Sequence, residues 1–327
     1  MTLRIGTRGS ALAVAQSTTI AERMAAATGE PVELVRVHTE GDRSQGTGES
    51  LSSLGGTGVF ASALRESLLA GECDALVHSL KDLPTAKHPG LVIAATPARA
   101  DARDALCARD GLTLETLPQG ARVGTGSPRR VAQLLARRPD LEVLDIRGNV
   151  DTRLGRVGAD LDAVVLSAAG LGRLGRLGAA TELLGLGWWP SAPGQGSLAV
   201  EVREGERSDE LATALAAVQH DDTRLVVTAE RMVLAGLEAG CAAPIGATAV
   251  IDAGLLLLSA TVYSPQGDRR LSSSHAVTLD DGPLPARLED VDAVSDRVVT
   301  ELLEGGAAEL APLGGGPSGG DAMASAS

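Results

Sequence analysis

An ammonium group and a carboxylate stand side by side in the segment His78-Ser79-Leu80-Lys81-Asp82-Leu83-Pro84, directly after the apolar strand pattern of residues 74–77. The chain has only two lysines, Lys81 and Lys87, against 27 arginines, so a lysine here is not background. An acid held beside a base at a strand end can give and take a proton, which is the chemistry of general acid–base catalysis. The same pair could instead be a solvated ion pair in a loop, with little effect on stability. These seven residues alone leave both interpretations open.

Arginines follow several other predicted strands, close to the starts of predicted helices. In an open α/β sheet, ligands bind at the carboxyl ends of the strands. Helix N-termini and guanidinium groups both bind carboxylates and phosphates. Any one of these arginines fits an ordinary surface position, but six at the same edge of predicted sheets favour a polyanionic ligand. They are Arg8, Arg129, Arg130, Arg147, Arg153 and Arg173.

Two further patterns carry weaker signals. Residues 170–175 have the GxGxxG spacing of a dinucleotide site, but no strand ending in an acid follows about 20 residues later, which disfavours that function. The glycines of residues 55–58 could cradle a phosphate or form a lid turn. Cys241 lies in a loop and is the most reactive candidate of the three cysteines. As a hydrolytic nucleophile it would need His78 or His220 nearby, and the spacing does not decide this.

Short strands alternate with helices from residue 3 to about residue 203, which predicts mainly parallel sheets covered on both faces. The pattern fits two such units, with the chain crossing between them near 97–101 and 192–197. After about residue 217, a long helix, three strands and a last helix predict a smaller α+β unit. Strands are expected at 3–6, 32–37, 74–78, 91–95, 121–125, 141–146, 162–166, 197–202, 246–251, 255–263 and 270–277. Helices are expected at 10–28, 59–70, 128–138, 151–157, 221–239 and 287–304.

Composition limits the function classes. A formal net charge of −13 argues against a nucleic-acid backbone as a partner. The chain has only four aromatic residues for stacking on bases, one Phe, one Tyr and two Trp in 327 residues, which argues against it as well. The three cysteines contain no CxxC pair, so neither a zinc site nor a disulfide framework is expected. The N-terminus enters a strand without an apolar signal core, and no apolar run approaches the roughly 20 residues of a membrane span. We therefore expect a cytoplasmic protein without a membrane or metal partner.

Six motifs, taken in order along the chain, resemble the porphobilinogen deaminase (hydroxymethylbilane synthase) family. The resemblance runs from residue 3 to about residue 310, and the combination is highly specific. The motifs are Thr7–Ala13 with Gln16, His78–Pro84, Gly124–Arg130, Arg147–Arg153, Pro193–Gly196 and Glu238–Gly246.

The resemblance implies a transferase that condenses four porphobilinogen molecules and releases the linear tetrapyrrole hydroxymethylbilane by hydrolysis. It implies a dipyrromethane cofactor held as a thioether by Cys241, and a catalytic carboxylate, Asp82, that assists loss of ammonia and stabilises the azafulvenium cation. Further cofactor contacts implied in this way are Asp42, Ser79, Lys81, Thr125, Ser127, Arg129, Arg130, Arg153, Gly172 and Arg173. Implied substrate contacts are Arg8, Ser10, Gln16, Phe60, Arg147, Asn149 and Gln195.

The resemblance also implies two lobes like those of periplasmic binding proteins, followed by a smaller α+β domain. We expect residues 1–97 with 197–216 to form the first domain, 98–196 the second and 217–311 the third, with a flexible tail at 312–327. A monomer is expected. Many family members carry lysines in the lid segment where this chain has Ser53 and Thr57, which leaves the lid's contribution to anion binding open. The alternative function is a non-catalytic two-lobed binding protein for a polycarboxylate.

Overall fold

The computed structural model describes residues 2–37, 58–239 and 243–313, and side chains only from residue 61 in the second of these ranges. Asp42, Ser53, Thr57, the side chain of Phe60, Cys241 and the predicted tail beyond residue 313 lie outside the described part of the chain.

The first sheet has five strands in the order β2-β1-β3-β10-β4. β1 pairs in parallel with β2 and β3, whereas β10 pairs antiparallel with both β3 and β4. Helices α1 and α6 cover one face through an apolar cluster, and α2 packs on the other. The strands are β1 (Leu3–Arg8), β2 (Val32–Val37), β3 (Ala75–Ser79), β4 (Leu91–Ala95) and β10 (Leu198–Arg203), and the helices are α1 (Ala11–Thr28), α2 (Gly58–Leu69) and α6 (Asp209–Val218).

The second sheet repeats this arrangement in the order β7-β6-β8-β5-β9. β6 is parallel to β7 and β8, and β5 is antiparallel to β8 and β9. In each sheet, the single reversed strand is therefore the first one that follows a crossing from the other sheet. The strands are β5 (Asp104–Ala108), β6 (Arg122–Gly124), β7 (Glu142–Leu144), β8 (Ala163–Ser167) and β9 (Glu182–Leu184), and the helices are α3 (Pro128–Arg137), α4 (Val150–Leu154) and α5 (Ala168–Arg173).

The C-terminal unit is a three-stranded antiparallel sheet packed on two long helices. Its apolar cluster contains residues of α7, α8 and all three strands, and also Leu80 and Leu83 from the first sheet's unit. These elements are α7 (Asp221–Gly236), β11 (Ile245–Asp252), β12 (Leu255–Tyr263), β13 (Arg270–Thr278), α8 (Leu284–Glu304) and α9 (Ala307–Leu310). The fold class expected from the sequence, two mainly parallel α/β lobes with a smaller α+β unit, is confirmed.

Each strand and helix expected from the sequence is present, with ends that differ by a few residues. The sequence did not predict β5, β9, α5, α6 or α9. None of the described helices combines the length and the apolar character needed to cross a membrane.

Candidate active site

A cleft of about 530 Å³ lies where the two large sheets and the C-terminal unit meet. Leu234, Ala243 and Ile245 of the C-terminal unit contribute to its wall. A smaller cavity of about 100 Å³ adjoins it and shares Arg8, Ser10 and Asp82. The structure thus brings together residues that are far apart in sequence. Predicted site residues that line the cleft are Arg8, Ser10, Lys81, Asp82, Ser127, Arg129, Arg130, Asn149 and Arg153, and Gln16 and Ser79 line the smaller cavity.

The other predicted residues that the structure describes lie outside the lining of these two cavities. Gln195 is fully buried, and Thr125 is buried at the end of β6. Arg147 is exposed and its Nη2 lies 3.1 Å from Asp145 Oδ2. Arg173 donates from Nη2 to the carbonyl of Gly196 at 2.7 Å. Gly172, beside it in α5, is exposed.

Two helices begin at the cleft with capped N-termini. Ser10 Oγ accepts from the backbone N–H of Ala13 at 3.3 Å at the start of α1. Ser127 Oγ caps α3 in the same way, and Pro128 occupies the first turn, where no backbone N–H is needed. The partial positive charge of both helix N-termini therefore faces the cleft, and it favours carboxylates there.

Asp82 is exposed to the cleft at the end of a single 3-10 turn, Leu80–Asp82, which follows β3 directly. Leu80 and Leu83 on either side are each only 2% exposed and anchor the turn in the apolar core. Lys81 is half-buried, and its Nζ donates to Gln195 Oε1 at 3.2 Å. Burial lowers the pKa of Lys81 to about 8, although the neighbouring carboxylate of Asp82 favours the charged form. The turn therefore presents its acid to the cleft and holds its ammonium group inside.

A buried carboxylate, Asp104 on β5, organises the double-arginine motif. Arg130 donates to Asp104 Oδ1 from Nε at 3.1 Å and from Nη2 at 2.6 Å, and Arg129 Nη1 lies 2.9 Å from Asp104 Oδ2. Trp189 Nε1 also donates to Oδ2, at 2.8 Å. Burial alone would raise the pKa of Asp104, but the two guanidinium groups hold it well below its ordinary value. No motif in the sequence pointed to Asp104 as a site residue.

Gln195 connects the two lobes through both ends of its amide. Its Oε1 accepts from Lys81, and its Nε2 donates at 2.8 Å to Asp104 Oδ1 and at 2.8 Å to the carbonyl of Ala102. The acidic turn of the first sheet and the arginines of the second are therefore linked through one buried side chain.

The cleft carries a surplus of positive charge although the chain is acidic overall. Five cationic side chains line it, against the carboxylates of Asp82 and Asp151. Burial lowers the pKa of Arg153, and the charges of Arg130 and Arg147 lower it further, so this guanidinium would gain from an anionic partner. Among the described residues, no group of His, Cys, Asp and Glu side chains has the geometry of a metal site. The arrangement suits a ligand with several carboxylates.

Comparison with known proteins shows similarity along nearly the whole chain. Residues 3–210 match the family model described as porphobilinogen deaminase, dipyromethane cofactor binding domain, and residues 224–281 match porphobilinogen deaminase, C-terminal domain. A porphobilinogen deaminase of Leifsonia xyli is 64% identical over 96% of this chain and 95% of its own length. One of Micrococcus luteus is 51% identical over 92% of this chain and 88% of its own.

A solved structure of a periplasmic substrate-binding protein from Coxiella burnetii aligns over 66% of this chain and 91% of its own, with 15% identity and a TM-score of 0.42. A likeness at that level carries no argument for the alternative function of a binding protein.

Proposed function

Because this chain belongs to the porphobilinogen deaminase family, we propose which of its residues carry out the family's reaction. The protein is a transferase of tetrapyrrole biosynthesis, a hydroxymethylbilane synthase. It deaminates four porphobilinogen molecules and joins them into hydroxymethylbilane on a dipyrromethane cofactor. The observation that carries the residue assignment is the exposed carboxylate of Asp82, held on an anchored turn in a cleft with a surplus of positive charge.

The described residues of the cleft fit a group that carries several carboxylates. Arg129 is 3% exposed, and its Nε has no hydrogen-bond partner among the described residues. A buried guanidinium nitrogen without an acceptor is costly, and a carboxylate oxygen is its natural partner. Dipyrromethane, when bound, supplies the primer to which each new pyrrole is added. Lys81, Ser127, Arg129, Arg130 and Arg153 would hold its acetate and propionate groups.

Asp82 performs the proton chemistry in this proposal. In its protonated form Asp82 donates a proton to the amino group of the substrate, and this group leaves as ammonia when the C–N bond breaks. The carboxylate that remains accepts hydrogen bonds from pyrrole N–H groups and stabilises the cation left on the substrate. Arg8, Ser10 and Gln16, which line the smaller cavity beside Asp82, would bind the incoming porphobilinogen.

The remaining assignments keep the roles implied by the resemblance, with one change. Gln195 uses both ends of its amide within the protein, so its proposed role is to orient Lys81 instead of contacting substrate. Residues that keep their proposed cofactor or substrate contacts are Asp42, Phe60, Ser79, Thr125, Arg147, Asn149, Gly172 and Arg173. Cys241 is the proposed attachment point.

The proposed domains are residues 1–97 with 197–216, then 98–196 and 217–311, with a tail at 312–327. The three sheets, which draw their strands from these segments, support this division. The proposed state is a cytoplasmic monomer, and the buried free thiols of Cys73 and Cys107 suit a reducing compartment. Cell fractionation tests the proposed location, and light scattering tests the proposed monomeric state.

Intact-mass measurement tests the proposed covalent attachment of the cofactor to Cys241. The purified wild-type protein should carry the added mass of two pyrrole units, and Cys241→Ser should lack it. The control Cys107→Ala removes a thiol buried in the second lobe and should retain it. Fully active wild-type protein of unmodified mass would remove Cys241 from the mechanism.

Steady-state kinetics test the proposed catalytic role of Asp82. Asp82→Asn should keep the fold and the covalent group but lose turnover by roughly 100-fold or more. The matched control Asp110→Asn changes an exposed aspartate of the second lobe, paired with Arg109 and outside the cleft, and should leave turnover unchanged. Near-normal turnover of Asp82→Asn would contradict the assignment.

A further inference from the structure

Helix α7 of the C-terminal unit holds the turn that carries Asp82. Arg231 donates from Nη1 to the carbonyls of Leu80 and Leu83, at 3.0 and 2.9 Å, and from Nη2 to the carbonyl of Pro84, at 2.7 Å. The three acceptors bracket Asp82 in sequence. One side chain therefore binds the backbone on both sides of the proposed catalytic acid.

The turn has little structure of its own to fix its orientation. It is a single 3-10 turn of three residues, closed by one backbone bond from Leu83 N–H to the Leu80 carbonyl at 3.2 Å. Short 3-10 segments have poor hydrogen-bond geometry. A guanidinium, in contrast, presents its donors in a rigid plane, so it can fix several carbonyls relative to one another. Leu80 and Leu83 also pack in the apolar cluster that contains Leu225 and Val233 of α7.

The same helix leads to the proposed attachment point. α7 ends at Gly236, Leu237 and Ala239 remain buried, and Cys241 follows two residues later. Arg231 lies ten residues before Cys241. The segment that would hold the growing chain and the turn that would carry out the chemistry are thus both connected to one helix.

We propose that Arg231 is a positioning residue that fixes the orientation of the Asp82 carboxylate in the cleft. It acts through the backbone of the turn and does not touch substrate. This inference rests on the proposed role of Asp82.

Arg224 offers a matched control on the same helix. It lies seven residues before Arg231, about two helical turns, so the two side chains project from similar faces. Arg224 Nη1 donates to the carbonyl of Ile93 at 3.1 Å and lies 3.2 Å from Thr96 Oγ1. It therefore also ties α7 to the first lobe, and it is half-buried like Arg231. Its acceptors belong to β4 and the residue after it, away from the Asp82 turn.

The experiment compares Arg231→Met, Arg231→Lys and Arg224→Met as purified proteins with their covalent cofactor. Intact mass, kcat, KM and the melting temperature are measured for each. We expect Arg231→Met to keep the added mass and a KM within about twofold of wild type. Its kcat should fall roughly 10- to 100-fold, the loss typical of a displaced catalytic group. Arg231→Lys should recover part of kcat, because an ammonium can bind some of the three carbonyls.

Arg224→Met should lower the melting temperature by an amount similar to that of Arg231→Met while its kcat stays within about twofold of wild type. Equal kcat values for the two methionine variants would overturn the proposal, as would loss of the added mass from Arg231→Met. If Arg231→Met does not fold, Arg231→Lys carries the same comparison against Arg224→Lys.

A double-mutant cycle separates this inference from the role of Asp82. If Arg231 acts through Asp82, adding Arg231→Met to Asp82→Asn should reduce kcat by less than about twofold further. A full additional loss would show that Arg231 acts by another route while the role of Asp82 stands. Normal turnover of Asp82→Asn alone would instead refute the role of Asp82.

Discussion

Replacing Asp104 by asparagine should destabilise the second lobe strongly, although the two side chains have nearly the same shape. Asp104 Oδ1 accepts two hydrogen bonds from Arg130 and one from Gln195, and Oδ2 faces Trp189 Nε1 and Arg129 Nη1. Asparagine has an oxygen on one side only. Its amide nitrogen would therefore face at least two donors, and the carboxylate charge between two buried guanidinium groups would be lost.

The size of the effect follows from these contacts. A buried donor without an acceptor costs about 1–3 kcal/mol, so two such donors cost roughly 2–6 kcal/mol. Removing one partner of a buried ion pair costs about 3–5 kcal/mol in other proteins. We therefore expect the free energy of unfolding to fall by about 4 kcal/mol, which corresponds to a decrease of roughly 10 °C in melting temperature.

Urea unfolding followed by far-UV circular dichroism at pH 7 measures this difference. The midpoint of Asp104→Asn should fall by more than about 1 M, since typical slopes are about 1–3 kcal/mol per molar urea. The control is Asp140→Asn, which alters a partly exposed pair with Arg138 and should leave the midpoint close to that of wild type. If both variants unfold at the wild-type midpoint, Asp104 does not stabilise the second lobe by pairing with the two arginines.

The pH dependence gives a second check on Asp104. Folding lowers the pKa of this carboxyl, so its contribution to stability is present above the pKa of an unfolded aspartate, about 3.9, and is lost as the pH falls further. The difference between wild type and Asp104→Asn should therefore be constant from about pH 5 to 8 and shrink below about pH 4. A difference that is unchanged at pH 3 would contradict the ionised state.

Three further predictions follow from the same geometry. Burial alone would raise the pKa of Glu201, but hydrogen bonds from its buried partners, first His78, lower it to about 2. The stability of the wild-type protein in urea should therefore fall as the pH decreases from about 4.5 to 2, and it should fall more steeply than the stability of Glu201→Gln. Burial lowers the pKa of Lys81 to about 8, and Lys81 would hold a carboxylate of the cofactor, so turnover should fall above that pH, and Lys81→Arg should remove the fall. A Cβ on Gly196, whose φ is +87°, would lie 2.6 Å from the carbonyl oxygen of Ala100. Gly196→Ala should therefore lower the melting temperature by several degrees, whereas the open position Gly178 should tolerate alanine.

The alternation of strands and helices was predictable because buried parallel strands are continuous apolar runs and the helices begin with capping residues. Ser127 followed by Pro128 marked the start of α3 within one residue. β5 was missed because it begins with Asp104, after Arg103, and a charged pair at that point is typical of a solvated loop. α5 was missed because Gly170 and Gly172 are poor helix formers, although Ser167 caps the segment by accepting from the backbone N–H of Gly170.

The cationic site was predictable only in part, because its ion pairs join residues that are far apart in sequence. Arginines after strands can be read locally, and Arg8, Arg129, Arg130 and Arg153 do converge on one cleft. What each guanidinium binds cannot be read locally. Asp104 lies 26 residues before Arg130, in a strand on the far side of β8, and only the strand order of the second sheet brings the two together.

In helix α7, a residue with long-range contacts can be recognised from the local sequence pattern. Glu230 is fully buried and accepts hydrogen bonds from both guanidinium Nη groups of Arg99 and from the backbone N–H groups of Gly194 and Ala249. It lies four residues after Val226 and three before Val233, so it occupies the apolar face of its own helix. A carboxylate in that register is stable only with buried partners. The mismatch in periodicity therefore predicts that α7 binds polar groups of other segments. The contacts of Glu230 with Arg99 and Gly194 lie where the chain crosses between the two large sheets. Those of Arg231 lie at the turn that carries Asp82.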